Sequence, residues 1–370
     1  MMPAWAKRWR LRALETVARC VPFALLVLRI ILRWLPPALL ALGIAAPFLL
    51  PSFQVQLTFL WIMIVFALCW DILGGQMGYN SFGNIAFFGI GVYTATIVQI
   101  GLFQDVAAYT AAAGMQTISL TPDQYFEGLF IGLAAAPVLA VIVAVVLGLA
   151  LLDLRGHYFA IATLGLGIAA GELAAAWTFV GGSSGVQVPV YPGSLQSGRL
   201  LFYFLSAALC ITTFITLRWL YTTRFGLAIN AIRDDEDKAE ALGLHTTRYK
   251  IIAWCIGAVF LGLAGGLVGH IIGFIDPREV AFAGASFGVW MILMAILGGK
   301  GTLWGPVIGA VIFHVMRELF WTYLFGWQNV AMGVLIVVVV VFFPFGILGW
   351  LRRRYPQLFV RDAAQSGAAE

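Results

Sequence analysis

Apolar runs of about 20 residues recur along the whole chain, and this repetition constrains the fold more than any motif does. Wound as a helix, such a run matches the hydrocarbon thickness of a bilayer. Ten runs qualify: 35–52, 53–70, 82–103, 126–152, 158–180, 200–221, 251–275, 281–298, 303–325 and 328–350. A β-barrel would instead show short segments of alternating polarity. Composition agrees: 62% of residues are hydrophobic and only 11% charged, against about 25% charged in a soluble domain. The expected fold is an all-α, polytopic membrane protein with about ten transmembrane helices. Pro36 and Pro37 suit a helix start, and Pro51 a tight turn into the next span.

The formal charge of +5 does not point to nucleic acid, because the basic residues cluster at the N-terminus and beside the spans. There they set orientation, since cytoplasmic loops carry the excess of Lys and Arg. With residues 1–34 in the cytoplasm, ten spans return the C-terminus to the same side. Segments 71–81, 153–157, 222–250, 299–302 and 351–370 then join the N-terminus, with Arg155, Lys300, Arg352, Arg353, Arg354 and Arg361. The opposite side keeps Arg199 and Arg278. Three regions follow: a basic cytoplasmic or interfacial segment 1–34, a transmembrane domain 35–350 containing the loop 222–250, and a cytoplasmic tail 351–370. Residues 20–34 read as a retained interfacial helix, because Arg29 and Arg33 interrupt the apolar part. A short extra span is the alternative. Cys20, Cys69, Cys210 and Cys255 lie in or beside apolar runs and read as small buried hydrophobes.

One long polar stretch breaks the apolar pattern, Tyr221 to Lys250. It carries five basic and five acidic residues. Leu227, Ile229, Ala231, Ile232, Ala239 and Leu242 recur at helical spacing within it, and Gly243 suits a helix stop. Arg233, Asp234 and Asp235 stand together between the apolar positions. Short amphipathic helices of this kind fit a groove on a soluble partner. An ordinary solvated loop is the plainer reading.

Segment 71–103 is Gly-rich and carries Gln76, Asn80, Ser81 and Asn84 before a long apolar run. Ser81 is placed to cap the following helix. The segment is either a cytoplasmic turn with small-residue packing or a re-entrant element lining a pathway. Segments 104–125 and 181–199 read as external loops, the second a solvated loop or part of a docking surface or gate. Glu172 falls inside the run 158–180. An intramembrane carboxylate costs about 2.5–3.5 kcal/mol and normally faces a protein interior or cavity. A pathway role and a hydrogen bond to a neighbouring helix are both open for it. His270 reads as a satisfied structural histidine, and Arg317 and Glu318 as partners of another helix.

The motifs of chemistry are missing. No G-x-x-x-x-G-K-[ST] loop is present, and LGGKGT around Lys300 lacks its spacing. There is no H-E-x-x-H, no G-x-S-x-G and no Cys/His cluster. No catalytic residue and no metal site is expected, and an enzyme is a poor class. A stand-alone ion-coupled carrier would need intramembrane carboxylates or an inverted repeat. Glu172 is its strong candidate, and no internal repeat is evident.

Three regions together resemble a known family: SFGNIAFFGIGVYT (81–94), HYFAIATLGLGIAAGELAAAWTFVGGSSGV (157–186), and RFGLAINAIRDDEDKAEALGLHTTRYK followed by FLGLAGGLVG and SFGVWMILMAILGGKGTLWGPVIGA (286–310). The chain resembles the permease subunits of ATP-binding-cassette importers for branched-chain amino acids, on the LivM-like side. Asn84 stands where many relatives have His, and the second loop reads Gly181-Gly182-Ser183-Ser184-Gly185. The resemblance implies a bacterial inner-membrane permease with a LivH-like second permease, two LivG/LivF-like ATP-binding subunits and a periplasmic binding protein. ATP would be bound by those partners and no cofactor by this chain. It implies an ATPase-coupling role for Gly226, Ile229, Ala231, Ile232, Arg233, Asp234, Asp235, Ala239, Leu242 and Gly243. Ser81, Asn84, Glu172, Gly182 and Ser183 are the candidates for the pathway or its gates. Related permeases move urea, short amides or aromatic acids, so the substrate stays open at this point.

Overall fold

The structure, a computed structural model, describes residues 43–111, 120–324, 326–342 and 346–354. The chain forms two compact units. In one, Met1–Ser52 with Leu351–Glu370, the described part is a helical stretch at 43–49 and the backbone of 351–354. The expected basic segment 1–34, Cys20 and most of the tail 351–370 lie outside the described residues. The other unit, Phe53–Trp350, holds the elements below as far as Trp350.

Its helices are α1 (Gln54–Asp71), α2 (Asn84–Gly101), α3 (Val106–Ala111), α4 (Pro122–Leu151), α5 (Gly156–Ala176), α6 (Leu195–Tyr221), α7 (Arg224–Asp234), α8 (Glu236–Ala241), α9 (Thr246–Ile272), α10 (Val289–Gly298), α11 (Trp304–Tyr323), α12 (Gln328–Phe342) and α13 (Gly346–Arg354). Among the described residues seven helical segments are long and apolar enough to cross a membrane. The chain is an all-α polytopic membrane protein. The run expected at 303–325 is present as α11, and that expected at 328–350 is divided between α12 and α13. Only the second half of the run 35–52 falls among the described residues.

Glycine and alanine decide which helices reach the centre. α2, α4 and α9 pack closely on one another. A Cβ on Gly91 of α2 would overlap the Gly262 carbonyl of α9, and one on Gly132 of α4 would overlap the Ala95 carbonyl of α2. Without a hydrophobic driving force between helices in lipid, such backbone approach is what makes contact favourable. Large side chains point outward: Phe130, Val138, Val146 and Leu149 on α4 and Ile215 and Trp219 on α6 are all exposed. An exterior this rich in large apolar side chains is the inverse of a soluble bundle's and suits a lipid surround.

The connections sort to two ends. At one end, the Gly301 amide donates to Asp71 Oδ1 at 2.8 Å, Arg155 pairs with Asp237 at 2.7 Å, and Lys250 Nζ donates to the Leu152 carbonyl at 3.1 Å. These contacts gather segments 71–83, 152–155, 222–245 and 299–303. At the other end, the Tyr109 hydroxyl donates to the Gln187 carbonyl at 2.9 Å. There β1 (Val186–Gln187) pairs antiparallel with β2 (Phe274–Ile275), Val186 opposite Ile275. Segments 102–111, 120–121, 177–194 and 273–288 belong to this second end.

Several expectations are corrected. Span 158–180 ends as a helix at Ala176 and continues as two tight turns, Thr178–Val180 and Gly182–Ser184. Span 281–298 begins with two π-helical turns, Pro277–Ala281 and Gly284–Gly288, before the short α10. Arg317 and Glu318 pair with each other at 3.3 Å rather than with another helix, and Arg317 also lies over the Trp290 ring. His270 is satisfied as expected, facing the Gly266 carbonyl at 2.8 Å and Gln99 Oε1 at 2.6 Å.

Candidate functional site

The polar stretch folds as two short helices joined at a corner. Thr223 caps α7, its hydroxyl accepting from the Phe225 amide at 3.3 Å. The acidic run then changes direction, because Asp235 is extended and caps α8 by accepting from the Lys238 amide at 3.1 Å. Glu236 and Asp237 fall in the first turn of α8, where the helix dipole favours negative charge. Gly243 ends α8 with φ +88°. Its amide donates to the Glu240 carbonyl and the Leu244 amide to the Ala239 carbonyl, at 2.9 and 3.1 Å, a glycine-dependent helix stop.

Burial divides the expected coupling residues in two. Ile229, Ile232, Ala239 and Gly226 are buried against the protein's own helices, and Ala231 is half-buried. In this chain these positions face the bundle. A face of α7 must seat on the bundle, and β-branched side chains at helical spacing do that. A Cβ on Gly226 would overlap the Tyr221 carbonyl, so this glycine serves close approach of α7 to the end of α6. Leu227 and Leu242 are 72% and 84% exposed, and they flank exposed Arg233, Asp234 and Gly243. Arg233 and Asp234 pair with each other at 3.1 Å. Asp235 is a cap that also pairs with Lys238 at 2.8 Å, which holds its carboxyl below the ordinary aspartate range.

What anchors this surface was not singled out from the sequence. Glu236 accepts from the Tyr79 hydroxyl and from Lys250 Nζ, and lies 3.5 Å from Arg155 Nε. Lys250 is 2% exposed along its side chain and also lies over the Tyr79 ring. Burial alone would raise the Glu236 carboxyl. Hydrogen bonds from Lys250 and Tyr79, with the charges of Lys250 and Arg155, bring it below its ordinary value. The Tyr79 phenol moves up, through burial and the adjacent Glu236 carboxylate. Arg155 moves up too, held charged by its hydrogen bond to Asp237 and by Glu236. One acidic side chain thereby ties the loop to segments 71–83, 152–155 and the start of α9. The sequence signal was Lys250 at the boundary where the polar stretch gives way to the apolar run 251–275.

The expected pathway residues do not converge. Ser81 and Asn84 are buried at the end that carries α7 and α8. Ser81 does not cap α2. Its hydroxyl accepts from the Gly83 amide at 3.2 Å, one turn too early, while its carbonyl accepts from Trp70 Nε1 at 2.7 Å. Asn84 Oδ1 accepts from Trp254 Nε1 at 3.2 Å, and the Phe82 amide donates to Thr163 at 3.1 Å. Segment 71–83 is thus irregular backbone shielded by α1, α5 and α9, the condition such backbone needs in a membrane. Glu172 is not at mid-span. It lies on the last turns of α5, about 13 Å along the helix from Thr163, at the second end. Arg278 meets it with two hydrogen bonds, Nε to Oε1 at 3.0 Å and Nη2 to Oε2 at 2.7 Å. Gly182 is buried and Ser183 exposed in the loop at this same end, where Gly185 lies against Phe274 and Ile275.

Residues 54–343 match the protein family described as "Branched-chain amino acid transport system / permease component". The chain is 28% identical over 360 residues to the high-affinity branched-chain amino acid transport system permease protein LivM of Salmonella typhimurium, covering 86% of this chain and 81% of the relative. The LivM protein of Escherichia coli K12 gives the same identity and coverage. The LivH permease protein of Escherichia coli K12 is 33% identical over 144 residues, 39% of this chain and 44% of that one. No solved structure matches the chain. With the match running from the start of α1 to just past α12, the chain belongs to the family of permease components of branched-chain amino acid transport systems.

Proposed function

We propose that this chain is one permease half of an ATP-driven importer in a bacterial inner membrane, carrying branched-chain or other hydrophobic amino acids delivered by a periplasmic binding protein. The observation that carries the reading is the α7–α8 surface. It is an anchored pair of short helices whose outermost apolar residues, Leu227 and Leu242, are largely exposed. A chain without a nucleotide-binding loop needs its energy from elsewhere, and such a surface suits docking into a groove of an ATP-binding subunit. Related systems contain a second permease of LivH type, and this chain's similarity to LivH supports a pair of homologous permeases. The charges favour a cytoplasmic α7–α8 end: it carries Arg155, Arg224, Arg233, Lys238, Arg248 and Lys300.

In this mechanism the chain makes and breaks no covalent bond. ATP binding and hydrolysis on the partners would bias two arrangements of the bundle through differential contacts at α7 and α8. The Glu236 network transmits that bias, because it joins the docking helices to α9 and to segments 71–83 and 152–155. The deciding experiment is reconstitution. Proteoliposomes holding this chain with its second permease, two ATPases and the binding protein should take up leucine only with ATP. Ion-gradient-driven uptake by vesicles holding this chain alone would replace the importer with a carrier. Uptake of urea or aromatic acids in place of leucine by the full complex would change the substrate but keep the class.

A further inference from the structure

The Glu172–Arg278 pair lies exposed at the second end of the molecule. Its side chains are 57% and 58% exposed, yet Glu172 lies on a helix long and apolar enough to cross a membrane and Arg278 near the start of another such segment, Pro277–Gly298. Charges so placed face a protein cavity or water rather than lipid. α5 is also the least buried of the spans. Around the pair the exposed surface is apolar, with Leu173 at 71% and Trp177 at 61%. The arginine is fixed from behind. Asp276 accepts from the Arg278 and Glu279 amides at 2.8 and 2.7 Å, which sets the π-helical turn, and Phe282 of the following segment packs on Gly171.

Building on the amino-acid reading above, we propose that Glu172 and Arg278 recognise a zwitterion, Arg278 taking the α-carboxylate and Glu172 the α-ammonium, with the aliphatic side chain against Leu173 and Trp177. The planar guanidinium already holds a carboxylate in the two-pronged geometry it would use for the ligand. The exchange is balanced. One internal ion pair opens and two new charge-assisted bonds form, so both charges are paired in the free and in the bound state. Binding of this kind is selective without being tight, which suits a site that must release its cargo. A solute with only one of the two charges opens the pair but satisfies half of it, and a neutral amide satisfies neither half. The location fits as well, at the end opposite the α7–α8 surface and beside the Gly181–Gly185 loop.

The test is direct binding of radiolabelled leucine to the complete transporter in nanodiscs without the binding protein, with thermal unfolding alongside. Wild type should bind leucine. 3-Methylbutylamine and 4-methylpentanoate, which lack one charge each, should compete at least about tenfold more weakly. Glu172→Gln and Arg278→Gln should each weaken leucine binding about tenfold or more. The exchanged pair, Glu172→Arg with Arg278→Glu, should unfold at the wild-type temperature but still bind poorly, since the ligand's charges no longer match its side-chain surface. Restoration of binding by the exchange would make the pair a structural clamp and overturn the proposal. So would unchanged binding in both single variants, or no binding by wild type. ATP-driven leucine uptake, measured in parallel with the binding protein present, separates the two readings. If uptake persists while the binding results fail, only the zwitterion site falls; if no amino acid is imported, the substrate reading falls first.

Discussion

At the scale of single residues, Glu236 carries more than its neighbours in the acidic run. Removing its charge leaves Lys250 buried without a counter-ion, the costly way to break a buried pair, worth about 3–5 kcal/mol. Glu236→Gln should therefore lower the unfolding temperature and speed proteolysis between residues 222 and 245, whereas Asp237→Asn, exposed and paired only with Arg155, should change either by little. The pH dependence has a definite sign. The folded carboxyl of Glu236 titrates below its unfolded value. Its stabilisation is present above the ordinary glutamate range and is lost as pH falls through the lower folded value. Wild type should show an acid-side loss of protection in this loop that Glu236→Gln lacks. Little of this was legible beforehand. Asp234, Asp235, Glu236 and Asp237 are alike in sequence, and only the chain path separates a cap, an anchor and two solvated charges.

At the scale of elements, the amphipathic pattern of α7 was legible but its direction was not. Periodicity says that Ile229 and Ile232 share a face with each other and not with Leu227; it does not say which face meets the bundle. The structure seats the isoleucines inward. Ile229→Ala should therefore cost about 2–4 kcal/mol of stability through the cavity it leaves. Leu227→Asp and Leu242→Asp should leave the unfolding temperature within a degree or two, yet uncouple ATP hydrolysis from uptake in the reconstituted complex. Coupled transport at the normal rate in the Leu227→Asp, Leu242→Asp double variant would remove this surface from the mechanism. The helix ends were harder to read. Ser81 and the run 158–180 were misjudged because side-chain caps and tight turns compete with helix continuation over one or two residues, a choice made by tertiary contacts such as those of Thr163 and Gly185.

At the scale of the whole molecule, hydropathy alone established the class, because apolar length in a membrane has few solutions. Which helices lie inside was not legible from hydropathy, since all the spans are apolar. It depends on where glycines stack, as at Gly91 and Gly262. A bulky substitution there, Gly91→Leu, should prevent stable folding of the bundle, seen as loss of a monodisperse species in detergent, whereas Gly165→Leu on the open face of α5, where an added Cβ meets nothing within 4 Å, should not. The two-ended arrangement makes a sidedness prediction. In a cysteine-free background, Leu242→Cys and Ser183→Cys should react with an impermeant maleimide from opposite faces of the membrane.

The unbroken run of α9 has a mechanical consequence. Its 27 residues span about 40 Å, and about 30 Å of it runs from Lys250 in the Glu236 anchor to His270, just ahead of the strand and turn that hold Arg278. Gly262 to Gly266, about two-thirds of the way along it, is clasped by α2 and α4, largely through backbone contact. A rod gripped off its centre behaves as an unequal lever: a push on the Lys250 tip swings the other tip the opposite way by a smaller distance. A displacement of α7 and α8 by an ATPase would reach the far side of the membrane as a countermotion of the Phe274–Arg278 segment, without any helix having to bend or unwind.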